Sequence, residues 1–252
     1  MLARRRRPSP SSRSAALGPC VWLALVGCGP GPLAQPAGVV PAPSTVPRRA
    51  SRTTLADVPP ETLRIESMSK GVVASCLGVL VAPRVALTAS HCLEGRSGAR
   101  VRLAASDHAG YVAVERFWCD PRRPAGRTNV DPESADVAVL LLERPIALAS
   151  YPEVARRPSP GWIAATGLRR AGDRIETTAL TLRPPLGSPY YVSQGFAKPG
   201  DSGGPVYFVG ATGQRIVVAV TAGGSAEREV LTRVDLVAEA IDHAIELGAT
   251  GS

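Results

Sequence analysis

Aromatic side chains are scarce in this chain, at 4% of 252 residues. That excludes a core built around large rings and leaves Val, Ala and Leu to fill it with small aliphatic groups. Long hydrophobic runs are missing as well. The apolar stretch from Ala15 to Gly27 is shorter than the roughly 20 residues of a membrane-spanning helix, and nothing after it could serve as one. Residues 1–27 hold no acidic residue but carry Arg4, Arg5, Arg6, Arg7 and Arg13. Setting them aside brings the formal charge from +8 to +3. No basic stripe with interleaved aromatics remains, so nucleic acid is not an expected partner. Histidine is limited to His91, His108 and His243, which narrows the choice of a general base to three.

The leader reads as an export signal: arginines followed by a short apolar segment, over residues 1–27. Its end, "LVGC" (Leu25–Cys28), resembles the lipobox of bacterial lipoproteins, in which the cysteine is acylated and becomes the new terminus. The resemblance implies a lipid on Cys28 and a membrane anchor through it. The alternative is an ordinary cleaved signal with Cys28 incidental and a soluble secreted product. Cys76 and Cys92 lie 16 apart around an apolar run, a spacing that suits a bridge closing a hairpin in an oxidising compartment. Cys119 is then either a free thiol or a partner for an unlipidated Cys28.

From residue 28 to 60 the composition is Pro, Ala, Gly, Ser and Thr without periodicity, and reads as a tether. Residues 61–252 read as one folded region. Short β-type runs begin at 62, 72, 84, 101, 111 and 137. A second series begins at 162, 175, 190, 206, 216 and 230, with Gly, Pro, Asp and Asn at the breaks. Six and six is an all-β signature, compatible with two barrels (about 61–150 and 151–248) or with a sandwich. After them, Asp235 is placed to N-cap a helix carrying Leu236, Val237, Ile241, Ala244 and Ile245, with Gly248 as its stop.

Three positions carry chemistry. Ser202 lies in "KPGDSGGPV", where clustered glycines mark a tightly bent backbone. His91, in "LTASHC", ends a β run beside Cys92 and gains the fixed ring orientation a general base needs. Asp136, in "ADVAVL", sets a carboxylate before a buried-looking strand, where it needs a dedicated partner such as an imidazole N–H.

"LTASHC", "DVAVLLLERPI" and "GDSGGPV" occur in that order and resemble the trypsin/chymotrypsin family of serine proteases, most closely its secreted bacterial members. "ATGLRR" and "VLTRVDLVAEAIDHAI" resemble the start of the family's second barrel and its closing strand and helix, so the likeness covers roughly residues 62 to 247. It implies two packed six-stranded antiparallel barrels with a C-terminal helix. Ser202 is then the nucleophile, His91 the general base and acid, and Asp136 the orienting carboxylate. The backbone N–H groups of Gly200 and Ser202 form an oxyanion hole. The expected activity is serine endopeptidase action on a protein or peptide by a monomer, with no cofactor and no metal. The competing expectation is a protease-fold binding module whose cleft is silent.

The chain also departs from the family. No "IVGG"-like terminus precedes Cys76 to meet the acid Asp201; the resemblance to secreted bacterial members, some of which use an internal arginine there, implies Arg169 or Arg170 as its balance. Phe196 stands six residues before Ser202, where trypsin-like members place a specificity acid; this disfavours Lys or Arg at P1 and points to a small or apolar residue. The cysteine expected before the active-site loop is Lys198, so the pocket walls lack their usual staple. Thr221, Ala222 and Gly223 resemble the strand that pairs with substrate backbone. The serine that supports the family's Asp is either Thr221 or Ala222 here.

Overall fold

A computed structural model describes residues 58–250 except 70, 107–109, 124–129 and 186. The leader, most of the tether, Cys28 and His108 lie outside the described residues.

The first six strands are β1 (Thr62–Ser69), β2 (Val72–Ala82), β3 (Val85–Thr88), β4 (Gly98–Leu103), β5 (Val112–Cys119) and β6 (Ala138–Leu142). They close into a barrel in the order β1-β2-β3-β6-β5-β4. Leu63, Ile65, Leu80, Ala86, Val101, Val112, Leu140 and Leu142, drawn from all six strands, fill its interior. β6 is buried along its whole length, which is why it reads as an unbroken apolar run rather than an alternation.

A second sheet follows. It holds β7 (Glu153–Val154), β8 (Ile163–Ala171), β9 (Arg174–Leu182), β10 (Tyr190–Gln194), β11 (Pro205–Val209), β12 (Arg215–Gly224) and β13 (Arg228–Arg233). Six run in the order β10-β13-β12-β11-β8-β9, and β7 adds a short parallel pairing to β12 that periodicity did not announce. The ends of this sheet meet only at one bridge, Arg183 to Val192, so it is a less completely closed partner than the six-stranded barrel expected there. Its core gathers Ile163, Leu180, Leu182, Tyr191, Val218 and Leu231.

A third cluster joins the two sheets and the helix: Leu77, Val79, Leu87, Val137 and Val139 from one side, Leu168, Tyr207, Val217 and Val220 from the other, and Ile241 from the helix. Helix α1 (Ala238–Thr250) begins after a 3-10 turn over Asp235–Val237. Asp235 does not cap it. Its carboxylate is taken by Arg233 at 3.0 and 2.6 Å, and the turn starts without a side-chain cap. Nor is Gly248 a stop, since α1 runs on through it to Thr250. Among the described residues no helix is long and apolar enough to cross a membrane.

Candidate active site

The segment 198–204 leads into β11 as a tightly wound loop. The N–H groups of Asp201, Gly203 and Gly204 donate to Lys198 O, Thr221 O and Asp201 O at 2.9, 2.7 and 2.9 Å. Two glycines make this path possible. Gly200 has φ +96° and Gly203 φ +78°. A Cβ on Gly203 would lie 2.1 Å from Thr88 Oγ1 and 2.3 Å from Leu77 O, so no side chain fits where this loop meets β2 and β3. The contact is reinforced by Leu77 N–H donating to Ser202 O at 2.8 Å and Thr88 Oγ1 donating to Leu77 O at 2.8 Å. The N–H groups of Gly200 and Ser202, by contrast, have no acceptor among the described residues.

His91 sits in a 3-10 turn over Ser90–Cys92, directly after β3. Cys76 in β2 and Cys92 form a disulfide with Cα atoms 6.3 Å apart, fastening this turn to the barrel wall. Ser67 Oγ donates to Cys92 O at 2.6 Å and holds it from the other side. A ring nitrogen of His91 and the two sulfurs lie within 4.8 Å of one another, but both sulfurs are spent in the S–S bond and are not metal ligands. Cys92 Sγ lies 3.9 Å from Ser202 O, which sets the serine backbone against the same disulfide.

Asp136, 1% exposed, ends the loop before β6. Its Oδ2 is 2.7 Å from His91 Nδ1, and its Oδ1 accepts from Ser90 Oγ at 2.8 Å and His91 N–H at 3.0 Å. Burial works most strongly against its ionisation, yet the His91 hydrogen bond and the His91 and Arg123 charges together hold it below the ordinary carboxylate value. The preceding residue is fixed by Asp120, whose Oδ2 accepts from Ala135 N–H at 2.9 Å. Arg122 first, with the Ala135 and Arg122 backbone N–H groups, pulls Asp120 down to about 2 against burial. No hydrogen bond joins Ser202 Oγ to the His91 ring among the described residues. In unliganded sites that contact is commonly long and tightens with substrate.

Other expectations are corrected. Asp201 is buried but forms no ion pair with Arg169 or Arg170. Arg169 bonds Glu176 at 3.0 Å and the Arg170 guanidinium bonds Ser75 Oγ at 3.0 Å. Backbone N–H groups of Arg170 (2.6 Å) and Lys198 (2.7 Å) hold the Asp201 carboxylate directly, while the Arg170 and Arg169 charges act on it from beyond ion-pair distance. Burial still raises its pKa above the ordinary value. Phe196 is buried in the core of the second sheet, its ring beside Gly167.

An acid does stand against this loop, and sequence reasoning missed it. Glu229 of β13 is 1% exposed, and its Oε2 accepts from Ala197 N–H at 3.2 Å. It ties the loop to the β12–β13 hairpin, where the family's missing cysteines would have bridged. Thr221 and Ala222 are buried and Gly223 partly so. Ala222–Gly224 run beside β13 and, among the described residues, beside no strand on the other edge. Among the described residues Thr221 Oγ1 has no hydrogen-bond partner, and Ser90 Oγ is the hydroxyl that bonds Asp136. Cys119 has no disulfide partner among the described residues, and burial pushes its thiol up to about 12. His243 stacks edge-on against Trp118 at 5.8 Å, a packing role far from base chemistry.

The family model for trypsin matches residues 62–241. The chain belongs to the trypsin/chymotrypsin-like family of serine proteases. It is similar to chymotrypsin from Phaedon cochleariae, 33% identical over 113 residues, which are 43% of this chain and 37% of that one. The matched stretch thus spans little more than a third of that relative. In fold it is similar to the scabies mite inactivated protease paralogue S-I1, with a TM-score of 0.62 at 18% identity over 78% of this chain and 98% of the other. It is also similar to GrC, with a TM-score of 0.60 at 19% identity over 74% and 94% of the two chains.

Proposed function

We propose that this protein is a serine endopeptidase in which Ser202 attacks the scissile carbonyl, His91 takes its proton, and Asp136 orients and stabilises the imidazolium. The acyl-enzyme is then released by water with His91 again as base. One observation carries the reading: a desolvated carboxylate is locked onto the His91 ring at 2.7 Å, while across the disulfide the Gly200 and Ser202 N–H groups stand unclaimed. On this reading the two N–H groups receive the oxyanion, and each such donor is typically worth about 3–4 kcal/mol of transition-state stabilisation. The open edge of Ala222–Gly224 supports backbone pairing with an extended peptide. A fluorophosphonate probe is expected to label the wild type and not Ser202→Ala; equal absence of labelling would remove the enzyme reading.

The second reading, a silent module, draws support from a fold neighbour that is an inactivated paralogue. The retained His91–Asp136 geometry speaks against it, because a module without catalysis has no use for a buried acid held on an imidazole. Export follows from the leader and from the Cys76–Cys92 bridge, which suits an oxidising compartment. We place a lipid on Cys28. Intact mass of membrane-extracted protein is expected to exceed the peptide mass by that of the acyl groups, and a bare peptide mass would discard the anchor.

A further inference from the structure

Behind the His91–Asp136 pair lies a second, buried ion pair that the proposed mechanism does not use. Arg123 follows β5 in a turn closed by its N–H to Asp120 O at 3.0 Å, and its side chain is 2% exposed. Its Nε donates to Glu94 Oε1, and its Nη2 stands 3.6 Å from Asp136 Oδ1. Glu94 belongs to the same turn as His91, its N–H bonding Ser90 O at 3.2 Å. The Asp136 carboxylate therefore has the imidazole on one oxygen and a fixed guanidinium beside the other.

We infer that Arg123 is a positioning residue that weakens the grip of Asp136 on the His91 imidazolium, and that Glu94 moderates it. The physics is direct. A cation at Oδ1 draws the carboxylate's field away from the ring and opposes a proton arriving there. The described groups facing Asp136 come from several elements. They are His91 and Ser90 on the 3-10 turn, Glu94 just after it, Cys119 and Asp120 at the end of β5, Arg123 beyond, and Tyr190 on β10, whose hydroxyl donates to Ser134 O at 2.6 Å. Burial keeps Cys119 and Tyr190 neutral, raising each to about 12, so they do not respond over the working range. Asp120 stays ionised throughout that range, its carboxyl near 2 and occupied by Arg122. Arg123 and Glu94 are the two of these charges set to act on the dyad in opposite senses.

The inference rests on His91 being the general base, and its test separates the two ideas. The His91 imidazole titration is followed by NMR in a Ser202→Ala background, where no hydrolysis is needed. The acid limb of kcat/KM is followed in the active protein. R123Q is expected to move both midpoints up by about one pH unit, a tenfold rise in proton affinity. E94Q, which leaves the guanidinium unopposed, is expected to move them down. R123K keeps the charge and returns the midpoint most of the way. A residue that only packs would shift neither midpoint, or both variants the same way, and either result overturns the inference. If R123Q fails to fold, as a lone buried Glu94 could cause, E94Q still reports the sign. Loss of probe labelling with the titration shifts intact would instead count against the protease reading alone.

Discussion

Glu229 brings a carboxyl group between the 196–197 backbone and the Gly223–Gly224 edge, and forms no salt bridge among the described residues. Only Gly can stand opposite it, since a Cβ on Gly224 would lie 2.3 Å from Arg228 O and 3.1 Å from Glu229 Cδ. Burial, partly offset by the Ala197 and Phe196 N–H groups, raises its pKa above 4.5 in the folded state. An acid with a raised folded value contributes fully to stability below its unfolded value and loses that contribution as pH rises through the folded one. Each unit of displacement corresponds to about 1.4 kcal/mol. Glu229→Gln, which keeps an acceptor for Ala197, is therefore expected to gain stability over the wild type as urea melts are moved from pH 4 to pH 8. A difference that stays flat or reverses would show that Glu229 ionises freely. The same burial explains why this acid escaped notice: a sequence shows that a carboxylate is present, not that its neighbours are Gly224 and a turn of backbone.

Elements were more legible than partners. Twelve of the thirteen strands coincide with runs visible in the sequence, because strand residues alternate faces and break at Gly, Pro and Asp. The thirteenth, Glu153–Val154, has two residues and is held only by its neighbour β12, so it leaves no periodic trace. The C-terminal helix was visible from its apolar spacing but its ends were not. Asp235 has the right chemistry for a cap, yet Arg233 two residues away competes for the same oxygens and wins at 2.6 Å. The hairpin bridge was legible for a related reason. A separation of 16 positions between Cys76 and Cys92 is enough for two strands and a turn, and most of β2 with all of β3 lies in that span. In the site, His91, Asp136 and Ser202 were readable from local motifs. What supports them was not: Ser90, Arg123 and Asp120 reach Asp136 or its neighbour from different elements.

At the scale of the molecule, two sheets share one apolar interface, and polar clamps span it. One joins Glu61, fully buried just before β1, to Arg215 at the start of β12, with Nε and Nη2 at 2.7 and 3.0 Å. Removing one member leaves the other uncompensated; for buried pairs this costs about 3–5 kcal/mol. Arg215→Gln is expected to lose toward the lower end, since Arg215 is about a third exposed, whereas Glu61→Gln combined with Arg215→Gln recovers most of it. Denaturant midpoints measure both, and a double variant as weak as the single would mean the clamp acts by shape rather than charge. The chain alone determined that this is an all-β protease-family domain and set His91, Asp136 and Ser202 in its motifs, because strand periodicity and short glycine-bound motifs are local properties written in adjacent residues. Only the folded structure decided what surrounds them: backbone N–H groups as the direct partners of Asp201, Glu229 where a staple was absent, and a buried Arg123 behind Asp136. Those contacts join residues tens of positions apart, and electrostatics acts through space and burial, neither of which a linear order of side chains contains.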